Sequence, residues 1–187
     1  MIEVVWHGRG GQGAFTAARL LGEAFVLGGD HRFALAFPSF GPERRGAPVR
    51  AFTKLDEKPI GDRSQIQKAD AVIFLDDTLL TEDADSELKE NGIILVNTKR
   101  QFRDARVISI DADQLAQRIL GRPITNTAML GALLSTLPQI GESEVRAAVS
   151  RGMPPALQER NFEIIKAAGV LAAAEHLGRT RTRKEET

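Results

Sequence analysis

Ile2-Glu-Val-Val-Trp-His-Gly8-Arg-Gly-Gly-Gln-Gly13-Ala-Phe-Thr-Ala-Ala-Arg-Leu-Leu21 is the stretch on which the fold turns. The β-branched run from Ile2 to Trp6 predicts a short strand buried on both faces. Gly8, Gly10, Gly11 and Gly13 follow as a tight loop, and the Ala- and Leu-rich segment after them predicts a helix. Glycine permits a sharp turn with positive φ and lets another molecule approach the main chain. A helix that starts at the end of such a loop points unpaired N–H groups and partial positive charge outward, which suits a phosphate or a carboxylate. The opening residues therefore predict an anion site at the edge of an α/β sheet.

A chain of 187 residues suits one domain with a sufficient core. Its formal charge is zero, which gives no support to a general nucleic-acid role. It has no cysteine, so disulfides, thiolate zinc sites, cysteine-ligated iron–sulfur clusters and a thiolate nucleophile are excluded. If the function is redox, another polypeptide carries the electrons. The N-terminal residues lack a signal-peptide pattern, and no apolar run approaches the roughly eighteen residues of a membrane span. A cytoplasmic protein is expected.

Working outward, Phe15, Leu20, Leu21, Ala24, Phe25 and Leu27 form a helical stripe that Gly28-Gly29 stops. His31 to Phe37 is a second extended segment. Val49 to Leu55 alternates like a half-buried strand. Ala71 to Leu75 is a short buried strand, with Asp76, Asp77 and Thr78 as candidate caps for a helix over 78–91 that Asn91-Gly92 ends. Ile93 to Val96 and Ala105 to Ile110 are further strands, and Asp111 or Asp113 caps a helix to Leu120. Helical segments between strands predict a three-layer α/β/α sandwich with a mostly parallel sheet. The pair flanking Pro38–Pro48 has no crossover helix, so the sheet is expected to be mixed. From 125 to 177 the pattern is helical only: a segment around Ala128–Leu137, one from Ser143, and one over Leu157–Leu177. Residues 1–177 read as a single domain and 178–187 as a mobile charged tail.

Gly8, Gly10 and Gly13 satisfy G-x-G-x-x-G between strand and helix, the context of a dinucleotide fingerprint. That fingerprint needs a carboxylate about twenty residues on, at the end of the second strand, to hold a ribose. Here the strand ends Ala34-Leu-Ala-Phe-Pro38, and Asp30 lies at its wrong end, which counts against a nicotinamide dinucleotide. Glycines serving helix–strand packing alone are a second reading. An anion loop for some other ligand is the best account.

Arg44-Arg45 stand in Ser39-Phe-Gly-Pro-Glu-Arg-Arg-Gly-Ala-Pro48, an ordered loop whose prolines and glycines would hold two guanidinium groups in place for a phosphate. The loop serves the same anion if the strands it joins lie beside the first. His7 has no obvious carboxylate partner and reads as structural, and His31 and His176 lack any constellation. No Ser/His/Asp set, P-loop lysine or metal-ligand spacing occurs, so no catalytic or metal-binding residue is assigned.

Three ordered motifs, His7-Gly-Arg-Gly-Gly-Gln-Gly13, Phe37-Pro-Ser-Phe-Gly-Pro-Glu-Arg-Arg-Gly-Ala-Pro48 and Asn126-Thr-Ala-Met-Leu-Gly-Ala132, resemble the gamma subunit of 2-oxoacid:acceptor oxidoreductases. The pyruvate:ferredoxin type is the nearest within that family, and the match runs from residue 2 to about 175. The resemblance implies a subunit without catalysis of its own, in a complex that converts a 2-oxoacid and coenzyme A to acyl-CoA, carbon dioxide and reduced acceptor. It implies thiamine diphosphate and Mg2+ between alpha and beta subunits, and iron–sulfur clusters in beta and a ferredoxin-like delta subunit. It also implies that the gamma chain packs on these partners and helps bind coenzyme A. Carried onto this sequence, that site comprises Gly8, Arg9, Gly10, Gly11, Gln12, Gly13, Thr16, Arg44 and Arg45. A purely architectural subunit and a nicotinamide-binding domain are the competing expectations.

Overall fold

A computed structural model of the chain describes residues 1–39 and 45–185, with side chains up to Leu177. Six strands form one sheet: β1 (Ile2–Arg9), β2 (Phe33–Pro38), β3 (Pro48–Asp56), β4 (Ala69–Phe74), β5 (Leu88–Asn97) and β6 (Val107–Ile110). Their order is β2-β3-β1-β4-β5-β6. β3 runs antiparallel to both β2 and β1, whereas β1, β4, β5 and β6 run parallel. The mixed, largely parallel α/β sheet and the helical C-terminal part match the sequence reading.

Among the described residues five α-helices, α1 (Ala14–Val26), α2 (Ala112–Leu120), α3 (Asn126–Leu134), α4 (Glu142–Gly152) and α5 (Pro155–Glu185), build the layer on one face. Their apolar stripes meet Val4, Trp6, Ala51, Ile73, Leu95 and Ile108 in the main core. Trp6 Nε1 donates to Thr53 Oγ1 at 3.1 Å, and that hydroxyl donates to the Ala18 carbonyl, so β1, β3 and α1 share one buried polar chain. α3 and α5 pack most closely at Gly131, where an added methyl would overlap the Ile165 carbonyl oxygen. Thr127 Oγ1 donates to Asn161 Oδ1 at 2.8 Å across the same helix pair.

The other face carries a smaller core of Val5, Phe52, Val72, Phe74, Ile94 and Val96, capped by Ile66, Ala84, Leu88 and Phe102. Its cover differs from the helical layer expected. The predicted helix over 78–91 is absent; two 3₁₀ turns, Asp77–Leu79 and Ala84–Glu87, occupy that stretch, and β5 begins at Leu88. Six carboxylates between Asp76 and Glu87 repel one another along any helix, while Leu79, Leu80 and Ala84 satisfy the small core from short turns. Asn91-Gly92 lies inside β5, beside the shift in register between Ala69 and Ala71. A Cβ at Gly92 would sit 2.9 Å from the Ala69 carbonyl oxygen, which explains the glycine.

Two further expectations change. β3 is buried on both faces from Ala51 to Leu55, because it lies between β1 and β2 with a core on each side. Its Lys54 reaches through the second core to Asp62 Oδ2 at 2.6 Å, which ties the 57–68 segment to the sheet. α5 does not stop at Leu177; its backbone continues as helix to Glu185.

Candidate functional site

β1, β4, β5 and β6 all end on one edge of the sheet, and the chain leaves β1 toward β2 on one side but later places β4 on the other. Ligands of open α/β sheets collect at such a switch point, outside the carboxyl ends of the strands. Here that point is the glycine loop.

The loop is built by internal hydrogen bonds. Gly10 N–H donates to the Ala47 carbonyl at 2.8 Å, and Gly46 N–H donates back to the Gly10 carbonyl at 3.0 Å. The register of β1 with β3 sets this meeting, since Arg9 pairs with Pro48. Residues 46 and 47, just before β3, therefore lie on the glycine loop. Arg45 is exposed there. Arg44 lies outside the described residues.

The remaining assigned residues divide by geometry. Gly8 is buried and tightly packed: a Cβ would lie 3.1 Å from the Leu75 side chain and 3.4 Å from Ala14, at the contact of strand and helix. Gln12 folds back, its Oε1 accepting from Arg9 N–H at 2.7 Å. Arg9 turns inward as well, with Nε donating to Asp76 Oδ2 at 2.9 Å, Nη2 to Thr78 Oγ1 at 2.7 Å and Nη1 to the Gly46 carbonyl at 3.2 Å. It braces three loops.

Gly11 and Gly13 have φ of +97° and +80°, and space is open around the Cβ position of Gly11. Gly13 is the N-cap of α1 and gives it no side-chain cap, and the first turn holds no acidic residue, so the helix's N-terminal field faces the loop. Thr16 is half-buried on that first turn. Asn126 Nδ2 donates to the Gly13 carbonyl at 3.4 Å, which puts the third sequence motif against the first.

Asp76 is held below the usual carboxylate range: partial burial pushes its pKa up, but hydrogen bonds from Thr78 and Arg9 together outweigh that. It caps the first 3₁₀ turn by accepting from Thr78 N–H. Asn97, at the end of β5, accepts from Ala112 N–H at 2.9 Å and donates to the Leu75 carbonyl at 3.1 Å, which locks α2 to this edge.

Sequence reasoning missed one cluster. His7 has a carboxylate partner after all: its Nε2 lies 2.6 Å from Glu87 Oε2, and Arg50 Nη1 donates to Glu87 Oε1 at 3.0 Å. The imidazole stacks on Phe74 with centroids 4.6 Å apart. The hydrogen bond from His7 first, then the Arg50 charge, holds Glu87 below its ordinary pKa against the pull of burial. Glu87 stood within a segment read as helix, so nothing in the sequence placed it beside β1.

A family model described as pyruvate ferredoxin/flavodoxin oxidoreductase matches residues 3–170. The chain belongs to that family. A pyruvate/ketoisovalerate oxidoreductases common subunit gamma of Pyrococcus abyssi is 43% identical over 178 residues, covering 90% of this chain and 95% of that protein. The pyruvate synthase subunit PorC of Methanothermobacter thermautotrophicus is 41% identical over 171 residues, covering 90% and 94%. Among solved structures, the pyruvate oxidoreductase subunit PORC of Thermotoga maritima superimposes with a TM-score of 0.77 at 31% identity, over 90% of this chain and 95% of that one. The fold is also that of part of the 2-oxoglutarate:ferredoxin oxidoreductase of Magnetococcus marinus, solved with 2-oxoglutarate, coenzyme A and succinyl-CoA bound. There the TM-score is 0.74 at 17% identity, over 92% of this chain and 31% of the other.

The oxidoreductase family and the three-motif resemblance to gamma subunits thus agree. Among the described residues, no helix is long and apolar enough to cross a membrane.

Proposed function

We propose that this chain is the gamma subunit of a thiamine-diphosphate-dependent 2-oxoacid:acceptor oxidoreductase and that it holds phosphates of coenzyme A for the complex. The overall reaction is 2-oxoacid plus coenzyme A plus oxidised acceptor to acyl-CoA, carbon dioxide and reduced acceptor. In this reading thiamine diphosphate and Mg2+ sit between alpha and beta partners, and the iron–sulfur clusters in beta and delta, since a chain without cysteine supplies no thiolate ligands for a cluster. The observation that carries the reading is the pair of hydrogen bonds between Gly10 and Gly46-Ala47, which brings Arg45 to the glycine loop.

The donor set fits a phosphate. Gly11 exposes main chain in open space, the start of α1 has no side-chain cap, and the exposed Arg45 stands beside Gly46, which bonds to the loop. Such a group gains from aligned N–H donors and from planar guanidinium contacts. Coenzyme A bound by its nucleotide end is held in place while its thiol attacks an acyl carbon elsewhere in the complex. Positioning of that kind lowers the barrier by removing the entropy of an encounter.

The test is an assembled complex carrying Arg44→Ala and Arg45→Ala. KM for coenzyme A is expected to rise at least tenfold, the loss of one or two charge-assisted contacts. Decarboxylation of the 2-oxoacid without coenzyme A should keep its rate. Unaltered coenzyme A kinetics would refute the assignment.

A purely architectural subunit is the second reading, favoured by Arg9 being spent on internal contacts and by exposed Phe15 and Ile124 near the loop. It predicts that loop variants abolish assembly while any surviving complex binds coenzyme A normally.

A further inference from the structure

The two outer strands of the sheet are finished differently. β6 is buried at all four residues and α5 packs on it, so that edge is covered. β2, at the opposite edge, is half-buried throughout, and among the described residues no strand pairs with its outer side. The register decides which of its amides point outward. Ser39 N–H donates to the Arg50 carbonyl at 2.8 Å, continuing the pairing of Phe33 with Asp56 through to Pro38 with Ala51. Bonded pairs alternate along an antiparallel ladder. Phe33, Leu35 and Phe37 therefore bond to β3, and Ala34 and Ala36 direct their N–H and carbonyl groups away from the sheet. Pro38, which has no N–H, falls in the same outward series, where a sheet tolerates it.

Free edges are guarded in most proteins by charged side chains, by bulges or by a covering segment. Phe33-Ala-Leu-Ala-Phe-Pro38 carries no charge, and its pairing with β3 runs without a shift in register. Its proline stands at the last position, beyond both free alanines. Such an edge is built to be paired.

A groove of about 330 Å3 runs beside it on the helix face. Ala34 and Ala36 form the floor with Gly22, whose Cβ position lies 3.2 Å from the Ala34 methyl, and the exposed Val26 lines one wall. Two arginines, Arg19 and Arg151, and one glutamate, Glu23, complete the rim and leave it cationic. Arg19 donates to the Gly152 carbonyl at 3.2 Å. Arg151 is exposed and pairs with no carboxylate among the described residues. A second copy joined through β2 about a two-fold axis would set two such cationic rims against each other, which disfavours self-pairing.

We propose that an extended acidic segment of a partner subunit joins β2 as an added strand, with alternate side chains in the groove and a carboxylate at Arg151. Main-chain hydrogen bonds to Ala34 and Ala36 supply the affinity, and the groove supplies the selectivity. The proposal rests on the reading of the chain as a subunit and names the surface by which it is joined.

The experiment compares hydrogen–deuterium exchange at single amides in the full chain alone and in the assembled complex. Leu35 and Phe37 should exchange slowly in both. Ala34 and Ala36 should exchange fast in the chain alone and at least about a hundredfold more slowly in the complex. Fast exchange at both alanines in the complex would overturn the added strand. Protection in the chain alone that grows with its concentration would put a second copy there and overturn the partner equally. Ala36→Pro removes one outward N–H and no bond to β3, and Arg151→Glu reverses the unpaired cation. Each should loosen the chain from its partners about tenfold, the second less so at high salt. Partner affinity equal to the parent in both variants would refute the docking. A chain that joins no complex overturns the subunit reading and the strand with it, whereas an intact complex with fast alanines overturns the strand alone.

Discussion

Arg9 Nε and Asp76 Oδ2 meet at 2.9 Å although 67 residues separate them in sequence, and this contact joins the ends of two parallel strands. The same guanidinium reaches Thr78 and the Gly46 carbonyl, so a residue assigned to a ligand holds the site's frame. Arg9→Ala should lower stability by about 1–2 kcal/mol, discounted for its partial exposure. Arg9→Lys should recover little of that, since an ammonium cannot span three acceptors in one plane. Denaturant unfolding checks the ranking. A lysine variant as stable as the parent would show that the fork geometry is irrelevant.

The carboxylates at this edge give stability a pH dependence. Asp76 and Glu87 both have folded pKa values below their ordinary ones. The unfolded state then binds more protons than the folded state over that interval. Their contribution is therefore full above the ordinary carboxylate range and is lost as pH falls through the folded values. Acid titration of the melting temperature should show Asp76→Asn and Glu87→Gln flattening the decline between about pH 5 and pH 3. Slopes matching the parent in both variants would contradict this account.

Asn97 offers a cleaner energetic measurement because it is buried and all its polar atoms are engaged. Asn97→Ala leaves the Leu75 carbonyl and the first amides of α2 without that partner. A loss of about 1–3 kcal/mol is expected, the cost of unsatisfied buried groups. Asn97→Asp should fare little better, because a carboxylate cannot donate to Leu75. Equilibrium unfolding with an unchanged m-value is the readout.

Two glycines predict opposite signatures. Gly11→Ala places a methyl in open space at φ +97°, so it should cost about 1–2 kcal/mol from backbone strain and alter the loop's ligand affinity. Gly131→Ala drives a methyl into the Ile165 carbonyl and should cost about 3 kcal/mol through separation of α3 from α5. Its effect on coenzyme A kinetics in any complex that assembles should be small. Equal effects on binding would mean that helix packing and loop shape are coupled.

Local patterns carried the strand–loop–helix unit at β1 and α1, the antiparallel pair around Pro38–Pro48 and the helical C-terminal part, because each is written in residues close in sequence. The 78–91 segment was misread for the opposite reason. Its leucines fall at helical spacing, but their partners are Ile66 and Phe102 on other segments, and a crowd of carboxylates favours turns over a helix. Strand β3 looked half-exposed because Lys54 alternates with apolar neighbours; only the sheet order, with a core on each side, buries it. Within the site, adjacency of the two loops could be framed as a condition and not more. That Arg9 would turn inward, and that His7 would find Glu87, depends on contacts across 67 and 80 residues that no local pattern encodes.

The unequal covering of the sheet has a mechanical consequence. Amides of α3 and α5 sit behind an interlocked glycine contact and should exchange with solvent only when the whole chain opens. Amides of the 77–87 turns are tethered by a few side chains and should open locally at far lower cost. One side of the molecule is thus a stiff layer, and the other a set of turns that yield one at a time.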